Sequence, residues 1–563
     1  MKNLNKISIL FLLLLGVTFT SCETTDLDLL DDPNDVTIDK ADLDRFLVAI
    51  QVDYKSFMES MGRTGAQATR IEYMFGRTYI NVFDATSTNF EWGLAYQSMF
   101  SNMKSASGLA TDLGANKHLG VINLLKASVL LTLVDFFGDV PLSEATDPSQ
   151  FPFPNLDDDA EVYAAALTLV DEAIDYLNAE GANLTNDLYY DNDFTKWKKL
   201  ANTIKMGAYL NTRLVDSDAI NKFNAIAGSP SNYISSTDDD FQFQYGTSAS
   251  DPNTRHPAYS ADYGVSGAGR YRSNWLMHRM FNDNDPRMRY YFYRQIQCTP
   301  GAIGADGVMC AVNLAQLQCS GQSAPQHYTS TMAYCNLDGG YWGRDHGNDE
   351  GIPPDSFRRT ASGVYPGAGN FDDDRFAFVG VDQGGQGAGI TPIMLASWVD
   401  LMRAEVALAS GNAGSANTFM QSALQKSIAK VQTFASVDPA ADTSFEPSSG
   451  DISTFINDIG TSFDAADNDG KWNILANQQF IAHYGNGIDS YNFYRRTGYP
   501  NTLQFNIEPS CGPFVRSMLY PADEAATNAN VIQKTTLNVQ VFWDNNPASS
   551  GTGLPGAGFP FSN

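Results

Sequence analysis

The sequence predicts a mainly α-helical protein, in which an array of helix hairpins of the tetratricopeptide type supports a loop-rich, irregular second lobe. Three observations predict this architecture. Several long segments carry apolar residues at helical spacing, these segments follow one another in pairs, and between residues 225 and 389 the periodicity gives way to Gly, Pro, Asn, Ser and Tyr. A helix pair cannot bury its apolar face alone, so successive pairs stack into a continuous core.

The first half of the chain carries three clear helix patterns. Residues 121–136 are apolar on nearly every side, which predicts a fully buried helix. The aspartates at residues 157–159 supply a cap and N-terminal negative charge for a helix that continues through Leu177. Residues 194–214 form the third pattern, with Trp197 among the inward-facing positions.

The second half adds a further helix pair and a last single helix. Thr391 and Pro392 suit the N-cap and first position of a helix through Leu408. A partner helix is predicted at about residues 415–434, and another at residues 472–483. Helices of this length in consecutive pairs favour the hairpin array.

Residues from about 225 to 389 are predicted to form an insertion of loops and small strands, with strands at residues 241–245 and 290–296. Long ordered loops on a rigid scaffold are where binding residues usually lie. The insertion contains four cysteines: Cys298, Cys310, Cys319 and Cys335. In an exported protein these predict one or two disulfides, with three connectivities open if all four pair. Their spacing lacks the close cysteine pairs of a typical zinc site.

The first residues predict export and a lipid anchor. Lys2 and Lys6 precede an apolar run at residues 7–17, which fits a secretory signal and is too short to span a bilayer. Small residues before Cys22 resemble a bacterial lipobox. Residues 1–21 are therefore expected to be a signal peptide and Cys22 to carry acyl chains that anchor the protein stably. The alternative is ordinary cleavage that leaves Cys22 as a free thiol.

The charge of the chain excludes polyanionic partners. The 563 residues include 36 Lys and Arg against 64 Asp and Glu, a net charge of −28. Such a surface repels nucleic acid and anionic lipid, so we expect no nucleic-acid partner. Residues 22–40 are acidic and too polar for a core, which predicts a tether. Neutral ligands, such as glycans or peptides, remain open.

Three stretches resemble blocks of one protein family. The first reads DFFGDVPLSEA at residues 135–145, and the second reads WKKLAN at residues 197–202. The third begins with GIDSY at residues 487–491, continues with RRTGYP at residues 495–500, and reaches Glu524. Their order and spacing, together with the lipobox, resemble the SusD/RagB family of nutrient-binding lipoproteins. The same motifs have structural interpretations, which we favour: a turn for the first block and fold-bracketing arginines for the last.

The resemblance implies a fold, a cellular location and a partner protein. Family members have tetratricopeptide-like hairpins that support an irregular lobe, which maps here onto a helical scaffold at about residues 41–224 and 390–490, a binding insertion at about 225–389, and a closing segment at about 491–563. They sit on the outer membrane by a lipid anchor facing the cell exterior, as the acidic residues after Cys22 also suggest for Bacteroidetes lipoproteins. They capture oligosaccharides or peptides and pass them to a TonB-dependent transporter of the SusC type.

The insertion offers candidate ligand-binding residues. Trp275 and Trp342 are the best placed to stack on the flat apolar face of a sugar ring. The polar and aromatic candidates that accompany them are Tyr271, Asn274, Tyr341, Arg344 and Asp345. Two other aromatic groups have simpler structural explanations: Trp92 with Tyr96 suits the core of the first hairpins, and the tyrosines at residues 290–293 suit a strand.

The sequence predicts a binding protein rather than an enzyme. The six histidines form no His-Glu-x-x-His pattern, and neither a Gly-x-Ser-x-Gly elbow nor a phosphate loop occurs. We expect no metal and no cofactor, although the acidic clusters at residues 157–159 and 372–374 could bind structural calcium instead of serving as caps and solvated loops. The alternative function is a surface glycoside hydrolase or peptidase with an unrecognised site, because catalytic carboxylates pair in space.

Overall fold

The computed structural model describes residues 42–303, 307–310, 317–350 and 355–546. The predicted signal peptide, the lipidation site Cys22, the whole acidic tether and the end of the predicted closing segment lie outside the described residues. The described part is mostly helical, which confirms the predicted fold class.

The elements are numbered in chain order. The α-helices are α1 (Leu43–Ala68), α2 (Tyr79–Val82), α3 (Asn89–Trp92), α4 (Phe100–Leu113), α5 (Asn116–Phe137), α6 (Asp159–Asn178), α7 (Phe194–Thr212), α8 (Ala219–Ala227), α9 (Pro257–Asp262), α10 (Asn274–Asn282), α11 (Met288–Tyr291), α12 (Ala396–Ala409), α13 (Ala413–Gln432), α14 (Ser449–Ala465), α15 (Asn468–Ala482), α16 (Ile488–Thr497) and α17 (Ala522–Thr527). A π-helical segment, Gly93–Met99, joins α3 to α4. The strands are β1 (Phe241–Gln244), β2 (Phe292–Tyr293), β3 (Ala361–Ser362) and β4 (Ile390–Met394).

The array begins with α1, whose apolar side chains recur every three or four residues along one face. Leu47, Tyr54 and Phe57 on that face are buried. Asp42 caps the helix by accepting a hydrogen bond from the N–H of Asp44. The buried face packs against the helix formed by the π-helical segment and α4, which completes the first helix pair.

The helices α5, α6 and α7 confirm the three helices predicted in the first half of the chain. α5 is buried on nearly every side. Among the described residues it is the one helix long and apolar enough to cross a membrane, but 89% of that apolar stretch is buried inside the protein. α6 begins at its N-cap Asp158, whose carboxylate accepts from two backbone N–H groups. These local signals were sufficient to place the helices.

The helix array continues across the insertion. α7 packs against both α6 and α12, so the chain after the insertion continues the stacking that the first half began. α13, α14 and α15 follow as neighbours, and α16 packs back on α1. That last contact is a close backbone approach: the N–H of Gly487 donates to the carbonyl of Gly62 at 2.9 Å. A methyl group added to Gly65 would lie 2.5 Å from the carbonyl oxygen of Gly487.

The prediction that Thr391 and Pro392 begin a helix is wrong. Both residues lie in β4, where Pro392 stands opposite Gln242 of β1 in an antiparallel pair. A proline is tolerated at the edge of a two-stranded sheet and holds the residue before it extended. The helix α12 begins only at Ala396, whose N–H donates to the carboxylate of Asp240 at 2.8 Å. This cap comes from a distant part of the chain.

The insertion contains more helix than predicted. α9, α10 and α11 are short helices within it, and α10 starts at the N-cap Ser273. The strand predicted at residues 241–245 is confirmed by β1. Of the strand predicted at residues 290–296, only β2 is extended, because the residues before it form α11.

Two disulfides crosslink the insertion. Cys298 pairs with Cys310 and Cys319 pairs with Cys335, with Cα–Cα distances of 5.7 and 5.5 Å. Of the three connectivities left open by the sequence, the structure therefore has the one that joins neighbours along the chain. Cys511 is buried and is not disulfide-bonded among the described residues.

Arg495 and Arg496 have the structural role predicted for them, since both side chains are fully buried. Arg496 donates to both carboxylate oxygens of Glu405, at 2.9 and 2.8 Å, and to Asn211 at 2.7 Å. Arg213 also pairs with Glu405, at 3.1 Å. This network ties α16 to α12 and α7.

Asp135, from the first family-like block, extends the same network. Its buried carboxylate accepts from the side-chain N–H groups of Asn492 at 2.6 Å, Trp543 at 2.9 Å and Asn211 at 3.3 Å. Burial raises the pKa of Asp135 from 3.8 to about 6, although the nearby Arg495 opposes the shift.

Replacing Gly65 with alanine is expected to destabilise the fold by about 1–3 kcal/mol, because the added methyl overlaps the Gly487 backbone. Gly108 of α4 is the matched control: it is helical and no atom lies within 4 Å of its added methyl. There the same change should stabilise the protein by about 0.5–1 kcal/mol. Urea denaturation of both variants measures the difference, and equal stabilities would contradict the close approach.

Asp135 is expected to make stability depend on pH. The unfolded chain releases this proton near pH 3.8, whereas the folded protein retains it to about pH 6. The contribution of Asp135 to the free energy of unfolding therefore falls as the pH rises through this window and stays low above it. Between pH 4 and pH 7 this group should lower the free energy of unfolding of the unmodified protein by on the order of 2 kcal/mol. In the Asp135→Asn variant this decrease should be absent. Denaturation of both proteins across that range checks it; parallel curves would contradict it.

Candidate functional site

A cavity of about 260 Å³ opens where the end of α1 meets the insertion. One wall consists of residues 63–75, from the last turns of α1 and the loop that follows. The facing wall comes from residues 269–271, 344–350 and 359. The cavity thus lies between the helical scaffold and the irregular lobe, where loops supply side chains and the scaffold fixes their position.

Aromatic side chains lie at the rim and the floor of the cavity. The Phe75 ring at the rim is 57% exposed, an unusual state for so large an apolar side chain. Tyr73 meets Tyr271 edge-to-face, with ring centroids 5.8 Å apart. The guanidinium groups of Arg359 and Arg344 lie over the Tyr271 ring, at 4.0 and 4.5 Å from its centroid. The Tyr271 hydroxyl donates to Asp355 at 2.6 Å, and burial raises its pKa to about 12.

Charged side chains of both signs converge on the same cavity. The cationic members are Arg63, Arg270, Arg344 and Arg359, and the anionic members are Glu72 and Glu350. Burial lowers the pKa of the Arg270 guanidinium, although Glu72 opposes the shift. The Nε of Arg359 is buried and has no hydrogen-bond partner within the described ranges. An unpaired buried donor costs free energy that a ligand acceptor would recover.

This arrangement suits a ligand with flat apolar faces and many hydroxyl groups. An exposed ring can stack on the apolar face, while carboxylates accept from hydroxyl groups and guanidinium groups donate to them. The cavity contains no arrangement of nucleophile and base that would indicate covalent catalysis among its described residues.

The structure brings two of the seven predicted ligand-binding residues, Tyr271 and Arg344, to this cavity. Trp342 is fully buried beneath it and packs with Tyr271 and the Cys319–Cys335 disulfide. Trp275 is buried against Phe480 of α15, with ring centroids 6.0 Å apart. Neither tryptophan presents an open ring face in this structure, because Trp342 fills a small core within the insertion and Trp275 packs in the main core.

The other three candidates are also internal. The amide of Asn274 donates to the carbonyl of Cys335 at 3.2 Å and to Asp345 at 3.0 Å. Tyr341 is buried beneath the guanidinium of Arg294, 4.9 Å from its ring centroid. Ligand binding by the seven residues therefore stays a prediction, and the geometry favours Tyr271 and Arg344 among them.

Sequence reasoning missed the wall formed by the end of α1. The sequence analysis sought ligand-binding residues mainly in the insertion, and it did not single out the five residues of this wall: Arg63, Gln67, Glu72, Tyr73 and Phe75. A signal existed, since Tyr73 and Phe75 precede Gly76 in the loop that follows α1. That pattern indicates a turn that leaves apolar side chains little room in the core.

Trp92 and Tyr96 have the core position that we favoured. Their rings are 4.6 Å apart. The Trp92 indole donates to Glu524 at 3.2 Å, and the Tyr96 hydroxyl donates to the carbonyl of Pro141 at 2.8 Å. The tyrosines at residues 290–293 are likewise buried.

The acidic clusters act as caps and ion-pair partners. Asp157 accepts from the backbone N–H of Leu142 at 2.6 Å and of Ser143 at 3.0 Å, and Asp158 caps α6. Asp372 pairs with Arg294 at 2.7 Å. Carboxylate oxygens of three aspartates, Asp139, Asp158 and Asp159, lie within 4.8 Å of one another. Structural calcium at these clusters stays a prediction.

A family model, SusD-like, described as starch-binding proteins associating with the outer membrane, matches residues 50–521. The chain belongs to the SusD-like family. The family description is that of binding proteins rather than enzymes, and it indicates no cofactor. A search of curated protein sequences found no significant match.

Solved structures share the fold of this SusD-like protein. A chitin-binding protein superposes with a TM-score of 0.62 at 20% identity, covering 90% of this chain and 100% of its own. A SusD/RagB family protein from Bacteroides thetaiotaomicron gives 0.62 at 19% identity, covering 91% and 100%. A chitin-binding SusD homolog from Flavobacterium johnsoniae gives 0.62 at 15% identity, covering 90% and 99%. At these identities the likeness establishes the fold.

The Cys319–Cys335 disulfide is expected to stabilise the floor of the cavity. Replacing both cysteines with serine should lower the free energy of unfolding by about 2–4 kcal/mol. It should also speed hydrogen exchange at residues 341–345, because the N–H of Cys335 donates to Asp345 at 2.7 Å. The matched control is the variant in which Cys298 and Cys310 are both replaced with serine. This replacement should leave hydrogen exchange at residues 341–345 unchanged. Equal exchange in the two double variants would contradict this role.

Proposed function

We propose that this SusD-like protein is a cell-surface binding lipoprotein that captures oligosaccharides in the cavity between α1 and the insertion. The observation that carries the proposal is the exposed Phe75 ring beside converging arginine and glutamate side chains. Stacking and hydroxyl recognition need such a combination. The starch-binding description of the family and the chitin-binding names of two structural neighbours support a glycan rather than a peptide.

The proposal includes an anchor and a partner. Cys22 would be acylated after removal of residues 1–21 and would attach the protein to the outer membrane, facing the cell exterior. The captured oligosaccharide would then pass to a TonB-dependent transporter of the SusC type. The description of the family as associating with the outer membrane supports this placement. Labelling with a radioactive fatty acid, lost in the Cys22→Ser variant, tests the anchor, and co-purification with a transporter tests the partner.

Phe75→Ala should weaken oligosaccharide binding about tenfold, since a lost aromatic stacking contact is worth roughly 1.4 kcal/mol. Calorimetry of the full-length protein in detergent, with maltohexaose and chitohexaose as probes, measures it. Phe90 is the matched control, because its ring is 62% exposed and lies outside the cavity. Its replacement by alanine should leave the affinity unchanged.

Two results would contradict the proposal. If the Phe75 and Phe90 variants bound the oligosaccharides with equal affinity, the ligand would bind outside the cavity beside α1. Shorter sugars appearing on long incubation with the purified protein would indicate an enzyme rather than a binding protein. Chromatography of the probes after incubation detects such products.

A further inference from the structure

A second and larger groove, of about 720 Å³, separates α14 from the turn between α10 and α11. Residues 445–447, from the loop before α14, close one end. Its volume is within the range of small-molecule and oligomer sites. None of its lining residues lines the cavity beside α1.

One wall is a single face of α14. Asp451, Thr454, Asp458 and Ser462 recur at intervals of three or four residues, which places them in one row along the helix. All four side chains are exposed. The next face of α14, which includes Ile452 and Ile456, packs instead against α13. The groove side of the helix therefore offers hydroxyl and carboxylate groups.

Aromatic rings lie on the opposite wall and at the closed end of the groove. Phe281 on that wall and Phe445 at the end remain 38% and 37% exposed. Phe281 meets the ring of Tyr341 edge-to-face at 5.9 Å, and the guanidinium of Arg289 lies 5.3 Å from the centroid of Phe445. These contacts hold both phenyl rings beside the groove, with part of their apolar surface left open to solvent.

The charges in the groove are unbalanced. Arg289 and Arg294 are neutralised by Asp372 and Asp374, which lie outside the groove. Asp458, by contrast, has no ion-pair partner within the described ranges. The groove thus combines open apolar rings with hydrogen-bond acceptors and has no unpaired cation. A ligand with an apolar face, many hydroxyl donors and no negative charge would fit these features.

We propose that this groove is a second carbohydrate subsite, specific for oligosaccharides that are neutral or carry amino groups. The inference rests on the proposed function that the protein binds oligosaccharides at all. The segment of residues 341–344 connects the two sites, because Tyr341 lines the groove and Arg344 lines the cavity. Three residues of extended chain span at most roughly 10 Å, so this single irregular segment of chain separates the two sites.

Calorimetric titration of the full-length protein in detergent tests the subsite, with chitohexaose and maltohexaose as separate probes. Two binding events are expected with at least one probe. The Phe281→Ala/Phe445→Ala double variant and the Asp458→Asn variant should each weaken one event about tenfold and leave the event that depends on Phe75 unchanged. Phe378→Ala is the matched control, since its ring is 57% exposed but lies outside the groove. Polygalacturonate, an anionic polysaccharide, should not compete for the groove.

The possible results distinguish the second subsite in the groove from the proposed function at the cavity beside α1. A single event that depends on Phe75 and is unaffected by the groove variants would overturn the second subsite and leave the proposed function intact. Binding of neither sugar would overturn both. Binding of a lysine-rich peptide that depends on Asp458, with no sugar event at the groove, would overturn the carbohydrate assignment. A sugar event that depends on the groove residues but not on Phe75 would support the subsite alone.

Discussion

The buried ion pair between Arg496 and Glu405 is the interaction on which the rest of the structure depends. It joins the closing segment to α12, and Arg213 of the segment after α7 shares the same carboxylate. Moving two charged groups out of water costs desolvation free energy, so such a pair adds little stability over an apolar contact. Its effect is on specificity, because a bidentate guanidinium accepts few geometries. Any arrangement that left Glu405 unpaired would bury a bare charge, and the two halves of the scaffold can therefore assemble in few ways.

That constraint extends to the cavity through the closing segment. Arg70, directly after α1, is buried and donates to the carbonyl of Gln504 at 2.9 Å. The side chain of Gln504 accepts from the N–H of His346 at 3.1 Å and donates to Asp345 at 2.8 Å. Gln504 thus bonds to Arg70 beside one wall and to Asp345 and His346 beside the other. The segment that contains Gln504 does not line the cavity, but it connects the two sides of the cavity. These bonds therefore fix the width of the cavity.

The sequence predicts the scaffold well because helix spacing and caps are local signals, as Asp158 at the start of α6 illustrates. It fails at Pro392, since a Thr-Pro pair suits a helix start and an edge strand equally, and the distant Asp240 decides between them. For the candidate cavity, the sequence predicts part of one wall, through Tyr271 and Arg344. It cannot tell which rings face solvent, and so it predicts the buried Trp342 as a binding residue and misses the exposed Phe75. Exposure is a property of packing between segments far apart in the chain.

The buried Trp342 lies between the cavity beside α1 and the larger groove. Its ring packs with Tyr271 and the Cys319–Cys335 disulfide, so it supports the floor of the cavity from below. Its neighbour Tyr341 points to the groove on the other side and orients Phe281 by an edge-to-face contact. Large aromatic residues in this lobe therefore divide into internal supports and exposed platforms. The proposed sites use the exposed rings of Phe75, Phe281 and Phe445, since a phenyl ring has no polar group that must be satisfied when a ligand removes water from its face.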